Sequence, residues 1–441
     1  MKALPPVMLE EEERGHSCPP SDGEWPIRQF GEICDRVQAA ASPSSDGTRL
    51  YLGLEHLGSG FPSLVGRGTE ADVRSGKTTF QPNDVLFGKL RPYLRKSVRV
   101  RETGICSTDI LVFRPKAETD PDFLCLLTHT DAFVDHAKAT TSGVQHPRTS
   151  WASLREFKQA CPPLPEQQKI AAVLGVVQRA MEQQERLLAL TAELKKTLLH
   201  QLFTQGLPSI DSSTGGLRHE PQKPTDIGPV PESWEVGKVG DAAKIQSGGT
   251  PSRDTPENWD GGTIPWVKTG EIDYCVIRDT EEKITPAGLA SSAARLFPAG
   301  TLLMAMYGQG VTRGRVAILG IDATTNQACA SITPHDEQEV SSRFLYHWFE
   351  YHYENLRKLG HGANQRNMNA ALIRGFPLAY PPPSEQAQIV ASLSVLDAKR
   401  DHHQHKHATL TALFRTLLHQ LMTAQIRVDQ LVPLGAATGS E

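Results

Sequence analysis

Apolar positions near the C-terminus return at alternating steps of four and three: Ile389, Leu393, Leu396, then Arg400, His403, His407, then Leu410, Phe414, Leu417, Leu421. A period of about 3.5 residues marks a coiled-coil seam, here apolar at both ends and polar in its middle. A second stretch has the same phase and carries Ile170, Leu174, Val177, Met181, Gln184, Leu188, Thr191, Lys195, Leu198 and Leu202. From Glu166 and from Glu385 no proline intervenes until Pro208 and Pro433, and Pro165 and Ser384 suit the first turn of a helix. Each stretch predicts one long helix of about 39 residues, roughly 60 Å at 1.5 Å per residue.

The two helices belong to an internal repeat. Pro162 to Thr204 aligns without a gap on Pro381 to Thr423, an offset of 219 residues (381 − 162). Thr197-Leu-Leu-His-Gln-Leu202 recurs unchanged as Thr416-Leu-Leu-His-Gln-Leu421, and Pro162-Pro163, Glu166-Gln167, Ile170 and Leu174 recur as Pro381-Pro382, Glu385-Gln386, Ile389 and Leu393. The offset also pairs Gly143 with Gly362 and Phe157 with Phe376, while Trp25-Pro-Ile-x-x-Phe-Gly-Glu32 echoes Trp234-Glu-Val-x-x-Val-Gly-Asp241. The repeated unit is therefore a whole domain followed by a long helix. Two equivalent helices in one chain most simply pair with each other, antiparallel.

Ahead of each helix the pattern turns to short β-like runs, Arg49–Leu54, Ile110–Phe113, Thr301–Met306 and Val316–Leu319, with helices expected over Pro121–Ala139 and Ser341–Leu359. The fold class is α+β. The expected organisation is a mobile tail over 1–23, a first domain over 24–161, its helix over 162–207, and a Pro/Gly/Ser-rich linker over 208–232. A second domain over 233–380, its helix over 381–426 and a tail over 427–441 complete it. Between their ends the two domains diverge, which suggests one frame with two different readers.

Composition excludes more than it selects. Apolar residues make up 39% and charged residues 22%, ordinary values for a folded chain. No uninterrupted apolar run approaches a membrane span of about 18 residues. The seven cysteines form no C-x-x-C pair, which suits reduced thiols in a cytoplasmic protein. A net charge of −4 requires any nucleic-acid surface to be a local patch.

Catalytic signatures fail in context. Ala71-x-x-x-x-Gly76-Lys77-Thr78 resembles a phosphate loop but lacks the apolar strand before it and the helix after it. No Pro-Pro pair follows the Asp, Asn or Ser of a DNA-methylating loop. His402, His403, His405 and His407 form the densest ligand-type cluster, yet the first copy has Gln183, Gln184, Arg186 and Leu188 there, so a solvated face or polar seam layer is the expectation and no metal site is assigned. The carboxylates and serines form no recognisable dyad or triad, so no catalytic residue is assigned.

Lys89-Leu-Arg-Pro-Tyr-Leu-Arg-Lys-Ser-Val-Arg-Val-Arg101 gathers six cations around one tyrosine. Such a run can neutralise phosphates and offer donors to guanine, or can be a solvated strand. The second copy is sparser in charge, with Lys268, Thr269, Tyr307, Gln309, Arg313, Arg315, Asn364, Gln365 and Arg366. Asn and Gln can pair with adenine in a bidentate manner, or cap turns. The candidate DNA-binding set is those residues together with Lys89, Arg91, Tyr93, Arg95, Lys96, Gln145 and Arg148.

Tyr51-Leu-Gly-Leu-Glu-His56, Asp84-Val-Leu-Phe-Gly-Lys-Leu-Arg-Pro-Tyr93 and Ser107-Thr-Asp109 in the first half closely resemble motifs of the specificity subunits of type I restriction–modification systems. So do Ser247-Gly-Gly-Thr-Pro251, Ile264-Pro-Trp-Val267, Ala305-Met-Tyr-Gly308 and Thr325-Asn-Gln327 in the second half. The resemblance covers about residues 25 to 424. It implies two target-recognition domains, each reading half of a split double-stranded DNA site, separated by an antiparallel coiled coil of the two long helices. It also implies assembly with two methyltransferase subunits, which bind S-adenosylmethionine, and with restriction subunits that use ATP and Mg. This chain itself would hold no cofactor and perform no catalysis. The His- and Arg-rich middle of the second helix departs from the expected packing. The runner-up is a fragment or relative of a fused methyltransferase–nuclease, against which the absent methylation loop argues; a scaffold without DNA binding would leave the divergent domains unexplained.

Overall fold

A computed structural model describes residues 25–143, 145–210, 215–308, 311–359 and 368–430. The chain divides into two compact units. The first comprises the chain up to Arg186 together with the chain from His405 onward, and the second is Leu187–Gln404. Both predicted long helices form, over Leu164–Gln205 and Pro383–Met422. Each starts in the unit whose domain precedes it and ends in the other.

Within the first unit the main sheet places the strands in the order Cys34–Val37, Ile110–Pro115, Val85–Gly88, Ser97–Arg99, all antiparallel. A second sheet of five short strands includes the parallel pair Leu50–Leu52 and Gly104–Cys106. The second unit repeats this plan. Its main sheet runs Ala243–Ser247, Cys329–Pro334, Leu302–Ala305, Val316–Leu319, Val276–Ile277, and its smaller sheet holds the parallel pair Ile264–Val267 and Thr324–Thr325. The Trp-led motif that opens each domain folds alike in both: a short strand pairs with the strand before the long helix, Ile27–Gln29 with Lys158–Ala160 and Glu235–Lys238 with Pro377–Tyr380. The following turn is capped by Glu32 on the Gln29 amide and by Asp241 on the Lys238 amide.

The helices pair antiparallel inside each unit. In the first, Ile170, Leu174, Val177 and Met181 from the start of one helix join Phe414, Leu418, Leu421 and Met422 from the end of the other in a single core cluster with Phe30, Phe113 and Phe123 of the domain. In the second, Leu199, Leu202 and Phe203 join Ile389 and Leu393 around Trp234, Phe344 and Trp348. Within the second unit Lys195 meets Asp397, whereas Leu207, twelve residues later, donates its amide to Glu385, twelve residues earlier, as opposed directions require. The predicted seam is thus apolar where it also closes a domain core. Leu396 is buried too, but Leu188, Leu198, Leu410 and Leu417 are only half-buried, and their neighbours Leu199 and Leu418 take the inner positions.

Three expectations change. The helix expected over 121–139 is two, Pro121–Leu127 and Asp131–Ala139, because the Thr128 hydroxyl turns back to Cys125 O and the Thr130 hydroxyl caps the amide of Phe133. The helix expected over 341–359 likewise divides at His352. The expected linker contains a hairpin, Gln222–Thr225 against Gly228–Pro231, whose Val230 is buried in the second core and whose Gln222 donates to Thr204 O. Beyond the second helix, Arg427 lies over the Trp25 ring at 4.7 Å and donates to Glu166, so residues 427–430 are docked; the remainder of that tail and the N-terminal tail lie outside the described residues.

Candidate nucleic-acid interface

In the first unit the fully buried strand Val85–Gly88 delivers the chain to Lys89 at the surface. Pro92 opens a short 3-10 turn, and the residues flanking it, Arg91 and Arg95, both take left-handed conformations with φ of 51° and 50°. Side chains rarely adopt that region without cost. The outcome is a sharp loop that leaves Tyr93 50% exposed beside Leu94, before the chain returns as Ser97–Arg99.

A distant segment completes this surface. Arg91 N donates to Pro147 O at 2.8 Å and Thr149 N to Lys89 O at 3.1 Å, while Leu90 and Arg148 form a β-bridge. Asp109, from the Ser107-Thr-Asp109 motif, accepts Lys89 N on its carbonyl and Arg148 Nε on its carboxylate, both at 3.0 Å. The segment of Lys89 and Arg91 is therefore joined to that of Arg148, although more than fifty residues separate the two; Tyr93 and Gln145 are exposed two residues beyond Arg91 and three before Arg148. Arg95 and Lys96 act differently. Arg95 donates to His129 O at 2.7 Å and pairs with Asp131, and Lys96 donates to Leu54 O at 2.6 Å, which ties the loop to the turn of the Tyr51–His56 motif. Arg99 is held by Asn83 and Asp122.

The second unit builds the same frame with other side chains. Met306 follows the buried strand Leu302–Ala305 as Lys89 follows its strand. Its amide donates to Ala328 O at 2.8 Å and its carbonyl accepts Met368 N at 3.3 Å, the pattern that Lys89 makes with Asp109 and Thr149. Tyr307, 37% exposed, then begins the loop. Arg313 donates to Arg357 O, and Arg315 pairs with Asp273. Lys268 bonds Glu281 at 2.6 Å and Glu282 at 3.0 Å, and these two carboxylates hold its ammonium above the ordinary lysine range. Thr269, half-buried, starts the short turn after Lys268. Gln309, Asn364, Gln365 and Arg366 lie outside the described residues.

Three of the four motifs of the second half converge. Gly249 N donates to Thr325 O, Trp266 Nε1 donates to Gly249 O, Asn326 N donates to Val267 O, and Thr250 bonds Gln327. A Cβ on Gly248 would lie 2.1 Å from Thr325 O, so glycine is required for this approach. The sequence reading passed over Arg253, whose guanidinium stacks on Trp259 at 3.7 Å and pairs with Glu282. Its signal was its place just after Ser247–Pro251 and between that motif and two tryptophans.

Chemically, the first face offers cations and a phenol ring, and the second offers neutral hydrogen-bonding groups with paired charges. Among the described residues no group of three or more His, Cys, Asp or Glu side chains converges as a metal site. Burial raises the Cys106 and Cys125 thiols to about 12, which leaves them un-ionised at neutral pH. No helix of the described residues is long and apolar enough to cross a membrane.

Comparison with known proteins gives a consistent result. The profile of a family described as the type I restriction modification DNA specificity domain matches residues 24–192 and again 231–412. The MjaIX type I specificity subunit of Methanocaldococcus jannaschii is 33% identical over 180 residues, 40% of each chain, so that match spans well under two thirds of the relative. The MjaVIII specificity subunit from the same organism is 22% identical across 92% of this chain and 94% of its own. A crystal structure of a type I restriction–modification S subunit from M. genitalium superposes with a TM-score of 0.59 at 15% identity, over 91% of this chain and 97% of that one. That likeness concerns the fold.

Proposed function

Because this chain belongs to the type I restriction modification DNA specificity family, with two copies of the family's domain, we propose that it is the DNA-recognition subunit of a restriction–modification complex. In this reading each domain reads one half of a bipartite site and the paired long helices fix the spacer between the halves. The chain itself is not catalytic. Methyl transfer and cleavage belong to methyltransferase and restriction subunits that dock on it, and those partners hold S-adenosylmethionine, ATP and Mg. The complex acts on double-stranded DNA in the cytoplasm.

One observation carries the proposal: the same backbone frame presents different side chains, Lys89 beside Asp109 in the first unit, whereas in the second the matching Met306 turns into the core and Tyr307 is the first side chain exposed. A shared frame with interchangeable contact residues is what reading two different half-sites demands. In the first domain Lys89 and Arg91 neutralise phosphates or donate to guanine edges, and Tyr93, Gln145 and Arg148 complete the surface. In the second, Thr250, Gln327 and Tyr307 supply neutral donors and acceptors. Lys268, Arg253, Arg313 and Arg315 exchange their present partners for DNA only where the new contact outweighs the old. Coexpression with cognate methyltransferase subunits, followed by genome-wide mapping of methylated adenines, tests this. A bipartite sequence with one spacer length is expected, and methylation at a continuous site or at none would refute the proposal.

A further inference from the structure

Charge is buried in the second unit at a position where the repeat has none. Lys195 occupies on the first long helix the place that Phe414 occupies on the second, 219 residues later. Phe414 is 1% exposed in an apolar cluster, and Lys195 is 6% exposed yet fully paired. Its Nζ donates to Glu350 Oε1 and to Asp397 Oδ1, each at 2.6 Å, and lies 5.8 Å from the centre of the Tyr346 ring. His347 also bonds Glu350 at 3.1 Å, and Arg400 backs Asp397 at 3.3 Å while donating to Tyr274 O. Burial alone would raise the Glu350 carboxyl, but the His347 hydrogen bond and the Lys195 charge outweigh it and hold it below its usual value.

Removing three charges from water is costly, and their mutual attraction recovers that cost only in one geometry. The first unit closes its seam with phenylalanine at the matching position, so the charges are not what the frame needs in order to fold. What they do is make one alignment of the helices unlike every other. Sliding the first helix by three, four or seven residues would set Leu188, Thr191, Ala192, Leu198, Leu199 or Leu202 against Glu350 and Asp397. None of these is a cation, so the two largely buried carboxylates would lose the ammonium that bridges them and keep only His347 and Arg400, each on its own helix. The same slide would carry Lys195 towards Leu393 in one direction or Arg400 in the other. A single buried polar residue in a seam can fix register in this way.

We propose that Lys195, with Glu350 and Asp397, is a register lock that admits one alignment of the paired helices and hence one spacing between the half-sites the chain reads. It explains why the middle of this seam is polar and why the second helix turns basic just beyond Asp397. The lock is a positioning device and touches no DNA. It rests on the DNA-recognition reading given above.

The test uses the complex with its methyltransferase subunits and a DNA library that holds the parental half-sites at all spacer lengths. A neutral variant, Lys195→Met with Glu350→Gln and Asp397→Asn, should fold and keep both half-sites. Methylation at spacers one or two base pairs from the parental length should rise roughly tenfold or more as alternative registers become populated. A charge-exchanged variant, Lys195→Glu with Asp397→Lys and Glu350→Gln, should restore a single spacing. The lock is overturned if the neutral variant keeps the parental spacing alone. It is also overturned if that variant cannot fold, since the charges would then serve stability rather than register. A parent complex that methylates no bipartite site overturns the DNA-recognition reading itself and is distinguishable from both.

Discussion

Gln167 and Gln386 stand 219 residues apart and hold the same three backbone groups. Gln167 donates to Pro162 O at 2.9 Å and Glu118 O at 3.1 Å and accepts the Asp120 amide at 2.8 Å. Gln386 donates to Pro381 O at 2.9 Å and Glu339 O at 2.7 Å and accepts the Ser341 amide at 3.1 Å. Asp120 and Ser341 are the N-caps of the domain helices Pro121–Leu127 and Ser342–Tyr351. One buried amide thus fastens each long helix to its domain, which gives the recurring Pro-Pro-x-x-Glu-Gln motif a mechanical role.

Replacing either glutamine by leucine strands one amide and two carbonyls in a buried site. A loss of about 2–4 kcal/mol is expected. Urea unfolding of Gln167→Leu and Gln386→Leu should show it, and a loss below about 0.5 kcal/mol would mean that water replaces the amide.

The basic loop should divide into two kinds of residue. The double variant Lys89→Ala, Arg91→Ala is expected to weaken DNA binding and reduce the salt slope by about two, with thermal stability unchanged. Lys96→Ala, which leaves the part-buried Leu54 carbonyl without this donor, is expected to lower the melting temperature instead. Titrations at two salt concentrations together with thermal scans would distinguish them; equal effects of both variants on salt slope would show that Lys96 also faces DNA.

Acid should destabilise both units near pH 5. Burial depresses His129 in the first unit and His352 in the second to about 4, whereas an unfolded histidine takes its proton near 6.5. Between those values the unfolded chain binds more protons, so stability falls as pH falls through this window. Each histidine contributes a loss of about 2 kcal/mol between pH 7 and 5. His129→Gln, which can keep the donor to Ser97 O, should flatten the dependence of the first unit, and an unchanged slope would place the proton uptake elsewhere.

Much of the frame is legible in sequence because its signals are local. The seam period, the Trp-led turns and the Pro-Pro-x-x-Glu-Gln motif each lie within a few turns of chain, and duplication makes each visible twice. Sequence pattern did not reveal which leucine of an adjacent pair faces inward: Leu198 and Leu199 recur together as Leu417 and Leu418, and packing against Trp234 or Phe123 decides between them. The linker hairpin was hidden because Pro224 and Pro229 suggest a breaker, yet they pair opposite each other where neither must donate an amide. In the basic run, charge was visible but its use was not. Arg95 and Lys96 are committed to His129, Asp131 and Leu54, partners 34 to 42 residues away that only the fold supplies.

The purified chain alone, given DNA and S-adenosylmethionine, should transfer no methyl groups, and addition of methyltransferase subunits should restore transfer. A labelled-methyl assay decides this, and transfer by the isolated chain would place catalysis within it.

The central claim is that two divergent domains read independently from a shared frame, and exchange of one domain tests it most directly. Residues 25–160 would be replaced by the matching segment of a relative with another specificity, leaving both long helices and the second domain intact. Methylated adenines would then be mapped in cells that express the methyltransferase subunits. The account predicts that one half of the site changes while the other half and the spacer stay as in the parent. Alteration of both halves, or of neither, would contradict it.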